Sequence, residues 1–301
     1  MATAVDRAKS NLEWRIGAWL PLVLFPVTVA ALCSGWPAWA LMWALAISIF
    51  TGLKWLTFAT STAAHDASWQ RIAGYLFLWP GLNADAFLAN SERPATPSWH
   101  EWGWAWAKTA VGVMLLIGAV PPAMESHPLF AGWLGMIGLV LVLHFGVFHL
   151  LSLAWRRAGI VAPPLMNRPV AAASLSDFWR QRWNLAFRDA AHRFVFRPLA
   201  PRLGVAGATL AVFLVSGLVH DLVISAPVGA GFGGPTLYFL LQGTAVLVER
   251  SRAGKRAGLG KAWRGRLFAA AMVLLPVGLL FHPPFVLNAI VPTLAALGMA
   301  S

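Results

Sequence analysis

Apolar residues in this chain run in long blocks, without the narrow three-to-four-residue stripes of helices that face water on one side. A membrane-spanning helix needs about 20 mostly apolar residues. Such blocks cover about 16–33, 36–60, 102–120, 129–153, 203–224, 234–248 and 267–281, and a shorter eighth, 285–299, begins behind Pro283-Pro284. The pattern predicts an all-α integral membrane protein with about eight transmembrane helices (seven to nine), residues 1–301 forming a single polytopic domain. Residues 73–88 are apolar too, but Pro80-Gly81-Leu82-Asn83 interrupts them, so this segment reads as interfacial or re-entrant. Arg7, Lys9 and Arg15 ahead of the first block imitate a signal peptide. Ala31-Leu32-Cys33-Ser34 makes a poor cleavage site and further spans follow at once, so a retained first helix is expected.

Composition agrees. Of 301 residues, 58% are hydrophobic and 11% charged, too apolar for a disordered chain and too poorly charged for a soluble exterior. Cys33 is alone, which excludes a disulfide scaffold. Tryptophan outnumbers tyrosine 17 to 2, and its amphipathic ring favours the membrane–water interface. The net charge of +12 would fit a nucleic-acid partner if it were spread over a surface, but it is not. Most of the cations fall in two loops, 153–202 and 250–266, separated by two spans. The positive-inside rule places both loops and the N-terminus in the cytoplasm. The charge thus reads as orientation, leaving membrane lipids as the partner and no case for nucleic acid. Short loops and an Arg- and Ala-rich composition fit a bacterial inner membrane.

The loop 153–202 is long for this chain, and long loops are often functional. Ser174 with Asp177 three places on resembles a capping-box helix start. At about 100° per residue, Trp179, Trp183, Ala186, Phe187, Ala190 and Phe194 form an apolar stripe, with Asp177, Gln181, Asn184 and Arg188 beside it. This predicts an amphipathic helix near 174–196, lying on the inner leaflet or turning its polar stripe to a substrate channel. Within the 203–224 block, Ser216-Gly217-Leu218-Val219-His220-Asp221 carries a histidine and an aspartate, costly in a membrane and by default functional. A structural histidine bonded to a neighbouring helix is the alternative. His144 and His149 point about 140° apart on a regular helix and the other histidines are scattered, so no metal site is argued. The chain has no nucleotide-binding glycine motif and no Gly-x-Ser-x-Gly elbow, and Cys33 lacks cationic neighbours to activate it.

Phe178-Trp179-Arg180-Gln181-Arg182-Trp183-Asn184, followed by Ser216-Gly217-Leu218-Val219-His220, resembles the membrane-bound O-acyltransferase superfamily, closest to its wax synthase-like branch. That branch typically shows Phe-Trp-Gly-Arg-Arg-Trp-Asn before Ser-Gly-x-x-His-Glu. Here Arg180 replaces the glycine and Asp221 the glutamate. Leu78-Trp79-Pro80-Gly81-Leu82 and Phe281-His282-Pro283-Pro284-Phe285 resemble weaker landmarks of the branch. The resemblance implies an enzyme moving an acyl group from acyl-CoA, a co-substrate and not a bound cofactor, to the hydroxyl of a hydrophobic alcohol. His220 would be its catalytic residue and Asn184 the partner. Asp177, Trp179, Gln181, Arg182, Trp183, Arg188, Ser216 and Asp221 would line the substrate site. Acyl transfer to a sterol, glycerolipid, glycan or specialised-metabolite hydroxyl is the second reading. A non-enzymatic membrane carrier is the third, although carriers favour broken helices in repeat-related pairs.

Overall fold

The computed structural model describes residues 4–89 and 93–299, with side chains from Gly17 onward in the first helix. The N-terminal cations Arg7, Lys9 and Arg15 lie outside the described side chains. The helices are α1 (Ala4–Leu32), α2 (Ala38–Ala59), α3 (Trp69–Leu78), α4 (Ala84–Leu88), α5 (Trp99–Ser126) and α6 (Pro128–Arg157). Then come α7 (Leu175–Asp177, continued by a π turn Phe178–Arg182), α8 (Leu185–Val228), α9 (Gly234–Arg250), α10 (Arg252–Ala257), α11 (Ala262–Leu280) and α12 (Pro283–Ala296). No strand occurs among the described residues.

Five helices, α2, α5, α6, α8 and α11, are long and apolar enough to cross a membrane, while α12 and the apolar part of α1 (Gly17–Leu32) are shorter. The block 234–248, expected as a span, lies in α9, which at 17 residues is shorter than those five. The outer surface matches a lipid environment: Phe77, Trp99 and Leu275 are 80%, 82% and 83% exposed. Water would penalise such exposure by roughly 25 cal/mol per Å² of apolar area, whereas lipid does not.

The interruption at Pro80 is a real break between α3 and α4, and its anchor is Lys54. This lysine is buried in α2, and its Nζ donates to the Trp79 and Gly81 carbonyls at 2.6 Å each while lying 3.4 Å from the centre of the Tyr75 ring. Proline cannot continue the helix, and the lysine satisfies the carbonyls that the break leaves unpaired. Beyond it, Asp85 accepts from the Ser61 hydroxyl at 2.7 Å and pairs with Arg193 at 2.9 Å, tying α4 to α8. Burial pulls the Asp85 carboxyl up, but Ser61, Arg193 and the backbone N–H groups around Thr62 outweigh it and hold it below the ordinary aspartate value.

One expectation is corrected. A continuous amphipathic helix over 174–196 does not form, because the chain turns at Trp183 and Asn184. Trp183 is extended, and Asn184 is left-handed (φ 44°, ψ 61°), a region that asparagine tolerates better than most residues. Pairing with an upstream segment imposes the turn: Asn167 N–H donates to the Arg182 carbonyl at 2.8 Å, and Leu185 N–H to the Leu165 carbonyl at 2.9 Å. The anticipated stripe is therefore divided. Trp179 belongs to α7, whereas Ala186, Ala190 and Phe194 belong to the first leg of α8. A second break at Gly204 (φ 67°, ψ 174°), backbone that only glycine adopts readily, separates this leg from the one carrying His220.

Two buried clusters result. Tyr75, Trp79, Phe87, Leu165, Ala186 and Ala190 join the α3–α4 break to the start of α8. Phe213, Ile224, Tyr238, Phe239, Leu280 and Phe285 gather the second leg of α8 with α9, α11 and α12, and the candidate site lies against this second cluster.

Candidate active site

His220 ends the regular part of α8, and the chain then winds as a π turn over Asp221–Ser225. Inserted turns of this kind recur at functional sites. The His220 ring Nδ1 lies 2.7 Å from the Ser216 carbonyl oxygen. A carbonyl can only accept, so in neutral imidazole the proton sits on Nδ1 and the lone pair on Nε2. The ring packs on Phe239 of α9, with centroids 4.4 Å apart. Gly217 lets the two helices meet, since a Cβ there would lie 2.6 Å from Thr236 Cα. Gly217→Ala is expected to force α8 off α9, destabilising the protein by about 1–3 kcal/mol. A lower thermal midpoint in detergent would register it.

Asp221 carries out a second task. Its carboxylate accepts from the Gly233 and Thr236 N–H groups at 2.9 and 3.1 Å, from the Thr236 hydroxyl, and from the Ser225 hydroxyl at 3.0 Å. Gly233 and Thr236 stand at the start of α9, so Asp221 satisfies N–H groups that a helix start leaves without internal partners. Ser225 lies 3.3 Å from His282 Nε2, and His282 Nδ1 accepts from Phe285 N–H at 3.2 Å. Burial lowers the His282 pKa, with Asp221 opposing it, which favours the neutral ring that these bonds require.

The other motif half docks on the same helix. Trp179 packs edge-on against Phe213 and lies beside Phe239, with ring centroids 5.6 and 5.8 Å apart. Its indole N–H donates to Gln242 Oε1 at 3.3 Å, and the Gln242 amide donates to the Met272 carbonyl at 2.6 Å. Buried Glu249 accepts from the Leu175 and Ser176 N–H groups at 2.6 and 3.2 Å, while the Ser174 hydroxyl accepts from Asp177 N–H. The capping anticipated at Ser174 is thus present, completed by a carboxylate from α9. One helix thereby carries the His220 clamp at its start and the α7 clamp at its end.

The remaining anticipated site residues are placed as follows. Asp177 pairs with Arg182 at 2.6 Å, and Arg182 also donates to the Arg168 carbonyl. Trp183 stacks on Phe178, and Gln181 is exposed. Arg188 donates to the Arg180 carbonyl at 2.5 Å and pairs with Asp189. The Ser216 hydroxyl bonds the Val212 carbonyl, leaving its own carbonyl to hold His220. Asn184 is half-buried; among the described residues its side-chain amide makes no hydrogen bond, and none joins it to His220. Phe239, Gln242, Glu249 and Ser225 were not anticipated. Gln242 and Glu249, spaced seven apart in an apolar stretch, were the available signal for a polar face on α9.

Residues 162–241 match the model of the membrane bound O-acyl transferase family, a stretch that includes α7, Asn184, His220 and Phe239. The likeness to that family's model is confined to this stretch. The chain is 34% identical over 146 residues to a probable long-chain-alcohol O-fatty-acyltransferase 2 of Arabidopsis thaliana, covering 43% of this chain and 41% of that protein. To the long-chain-alcohol O-fatty-acyltransferase of Simmondsia chinensis it is 33% identical over 141 residues, 42% and 40% of the two chains. An acyl-CoA--sterol O-acyltransferase 1 of Arabidopsis thaliana matches at 36% over 67 residues, 20% and 19% of the two chains. Over about two fifths of its length the chain is thus similar to long-chain-alcohol O-fatty-acyltransferases, the wax synthase-like branch of that family. The matched region spans about two fifths of the length of the first two relatives.

Proposed function

We propose that this protein is a multi-pass membrane O-acyltransferase that moves an acyl group from acyl-CoA to the hydroxyl of a long-chain alcohol, with His220 as general base. The observation that carries the proposal is the Ser216 carbonyl on His220 Nδ1, which directs the basic lone pair to Nε2. An alcohol is a weak nucleophile, so Nε2 takes its proton as the oxygen attacks the thioester carbonyl. The C–O bond forms, the tetrahedral intermediate expels the CoA thiolate, and the proton on Nε2 passes to that sulfur. Asn184, whose side-chain amide makes no hydrogen bond among the described residues, donates to the developing oxyanion or orients the hydroxyl. The arginine-bearing loops 153–202 and 250–266 face the cytoplasm in this reading and receive the CoA phosphates, for which guanidinium geometry is suited. The eight-span topology, with α1, α9 and α12 crossing, belongs to the same proposal.

The test is an assay of membranes bearing the protein with labelled palmitoyl-CoA and either hexadecanol or cholesterol. Wax ester from hexadecanol is the expected product. Steryl ester alone would move the acceptor to the sterol class, in keeping with the sterol-acylating relative. Absence of ester from every acceptor and acyl-CoA chain length would overturn the enzymatic reading.

A further inference from the structure

The hydrogen bonds around Asp221 continue beyond the reacting histidine. Phe285 N–H donates to His282 Nδ1 at 3.2 Å. This occupies the Nδ1 lone pair, so the neutral ring carries its proton on Nε2 and donates it to Ser225 Oγ, 3.3 Å away. The Ser225 hydroxyl in turn donates to Asp221 Oδ1 at 3.0 Å. Ser225 is completely buried and His282 nearly so, making this an interior connection between helices and not a surface contact. The sequence around the histidine is built for it: Pro283-Pro284 starts α12 with His282 as its cap, and Gly231 has no side chain because a Cβ there would lie 2.3 Å from the His282 ring.

We propose that His282 is a positioning residue for His220, acting through Ser225 and Asp221; this rests on the function proposed above. Asp221 directly follows His220, and its carboxylate fixes the π turn against the start of α9. One turn further along α9 lies Phe239, on which the His220 ring rests. His282 holds Ser225 in its donor orientation toward Asp221, so that the turn, and with it the Nε2 direction, is set from α12. The Gly231 carbonyl, 3.3 Å from Ser225 Oγ, competes for the same hydroxyl proton; without His282 that proton turns toward Gly231, and Asp221 Oδ1 keeps only the Gly233 N–H.

Two roles of His282 can be separated chemically. In His282→Asn, Oδ1 takes the place of Nδ1 and still caps α12, but the shorter side chain cannot reach Ser225. Ser225→Ala cuts the same connection from the other side. With palmitoyl-CoA and hexadecanol, each variant is expected to lower kcat about 10- to 100-fold with KM unchanged, because a small misplacement of a reacting group has effects of this size. The double variant is expected to be no slower than either single one, since both cut one connection. Wild-type kcat in His282→Asn would overturn the proposal and leave only a cap. A substrate-free reading accompanies this: ¹⁵N-histidine NMR of the full chain in detergent, with the His220 signal assigned from its loss in His220→Gln. The wild type should show one His220 tautomer, protonated on Nδ1, and both single variants a mixture. A single unchanged tautomer in the variants would overturn the positioning role even if the wild type made no ester, a failure that would fall on the proposed function instead.

Discussion

His220→Ala should leave the protein in the membrane at wild-type levels and remove its ester-forming activity. A positioned general base contributes roughly 10²–10⁴ in rate, so the residual activity should lie about two to four orders of magnitude below wild type. Little structure depends on this side chain. Among the described residues its side chain makes a single hydrogen bond, to a carbonyl of its own helix, and one ring contact, with Phe239, worth about 0.5–1.5 kcal/mol. His220→Gln is the stricter version, because glutamine fills much of the same space and hydrogen-bonds but cannot take a proton near neutral pH. Loss of ester product in both variants, with unchanged membrane levels and thermal midpoint, identifies the base. Full activity in a folded His220→Gln protein would remove His220 from the chemistry.

The reason His220 stood out in the sequence is physical: an imidazole within an apolar block has to be satisfied, and the group that does so, the Ser216 carbonyl, is local. The spanning blocks were legible for the same reason, each being a property of consecutive residues. What escaped was non-local. The 100° periodicity runs without interruption through Trp183 and Asn184, yet the helix stops there because residues 165–167 pair with residues 181–185 from across a loop. Lys54 looks like a stray cation in an apolar block until the Trp79 and Gly81 carbonyls are brought onto it. Asp221 reads locally as a polar neighbour of the histidine, and its role as a cap for α9 depends on Gly233 and Thr236 folding back toward it. The charge loops show the converse case. Arg182, Arg188 and Arg193 have internal partners, so part of the positive charge that reads as orientation also holds α7 and α8 in place.

Glu249→Ala is expected to be the most damaging substitution outside the reacting pair. Glu249 is buried, and both of its oxygens are committed, one to Leu175 N–H and one to Ser176 N–H. Those groups open α7 and have no partner within their own helix, and Leu175 is completely buried, so water cannot replace the carboxylate. Hydrogen bonds to a charged acceptor contribute about 1.5–3 kcal/mol each, and losing both should destabilise the protein by about 3 kcal/mol or more after relief of the buried charge. For a chain of this size the thermal midpoint should fall by on the order of 5–10 °C. Function should fall further than stability. With α7 released, Trp179 no longer holds its place beside Phe239, the ring on which His220 rests. Glu249→Gln distinguishes the two effects, since it keeps one acceptor oxygen but places an NH₂ against the other N–H. It should give an intermediate midpoint and, assayed well below that midpoint, a kcat below wild type. Equal midpoints for wild type, Glu249→Gln and Glu249→Ala would show that α7 is held by its aromatic packing alone.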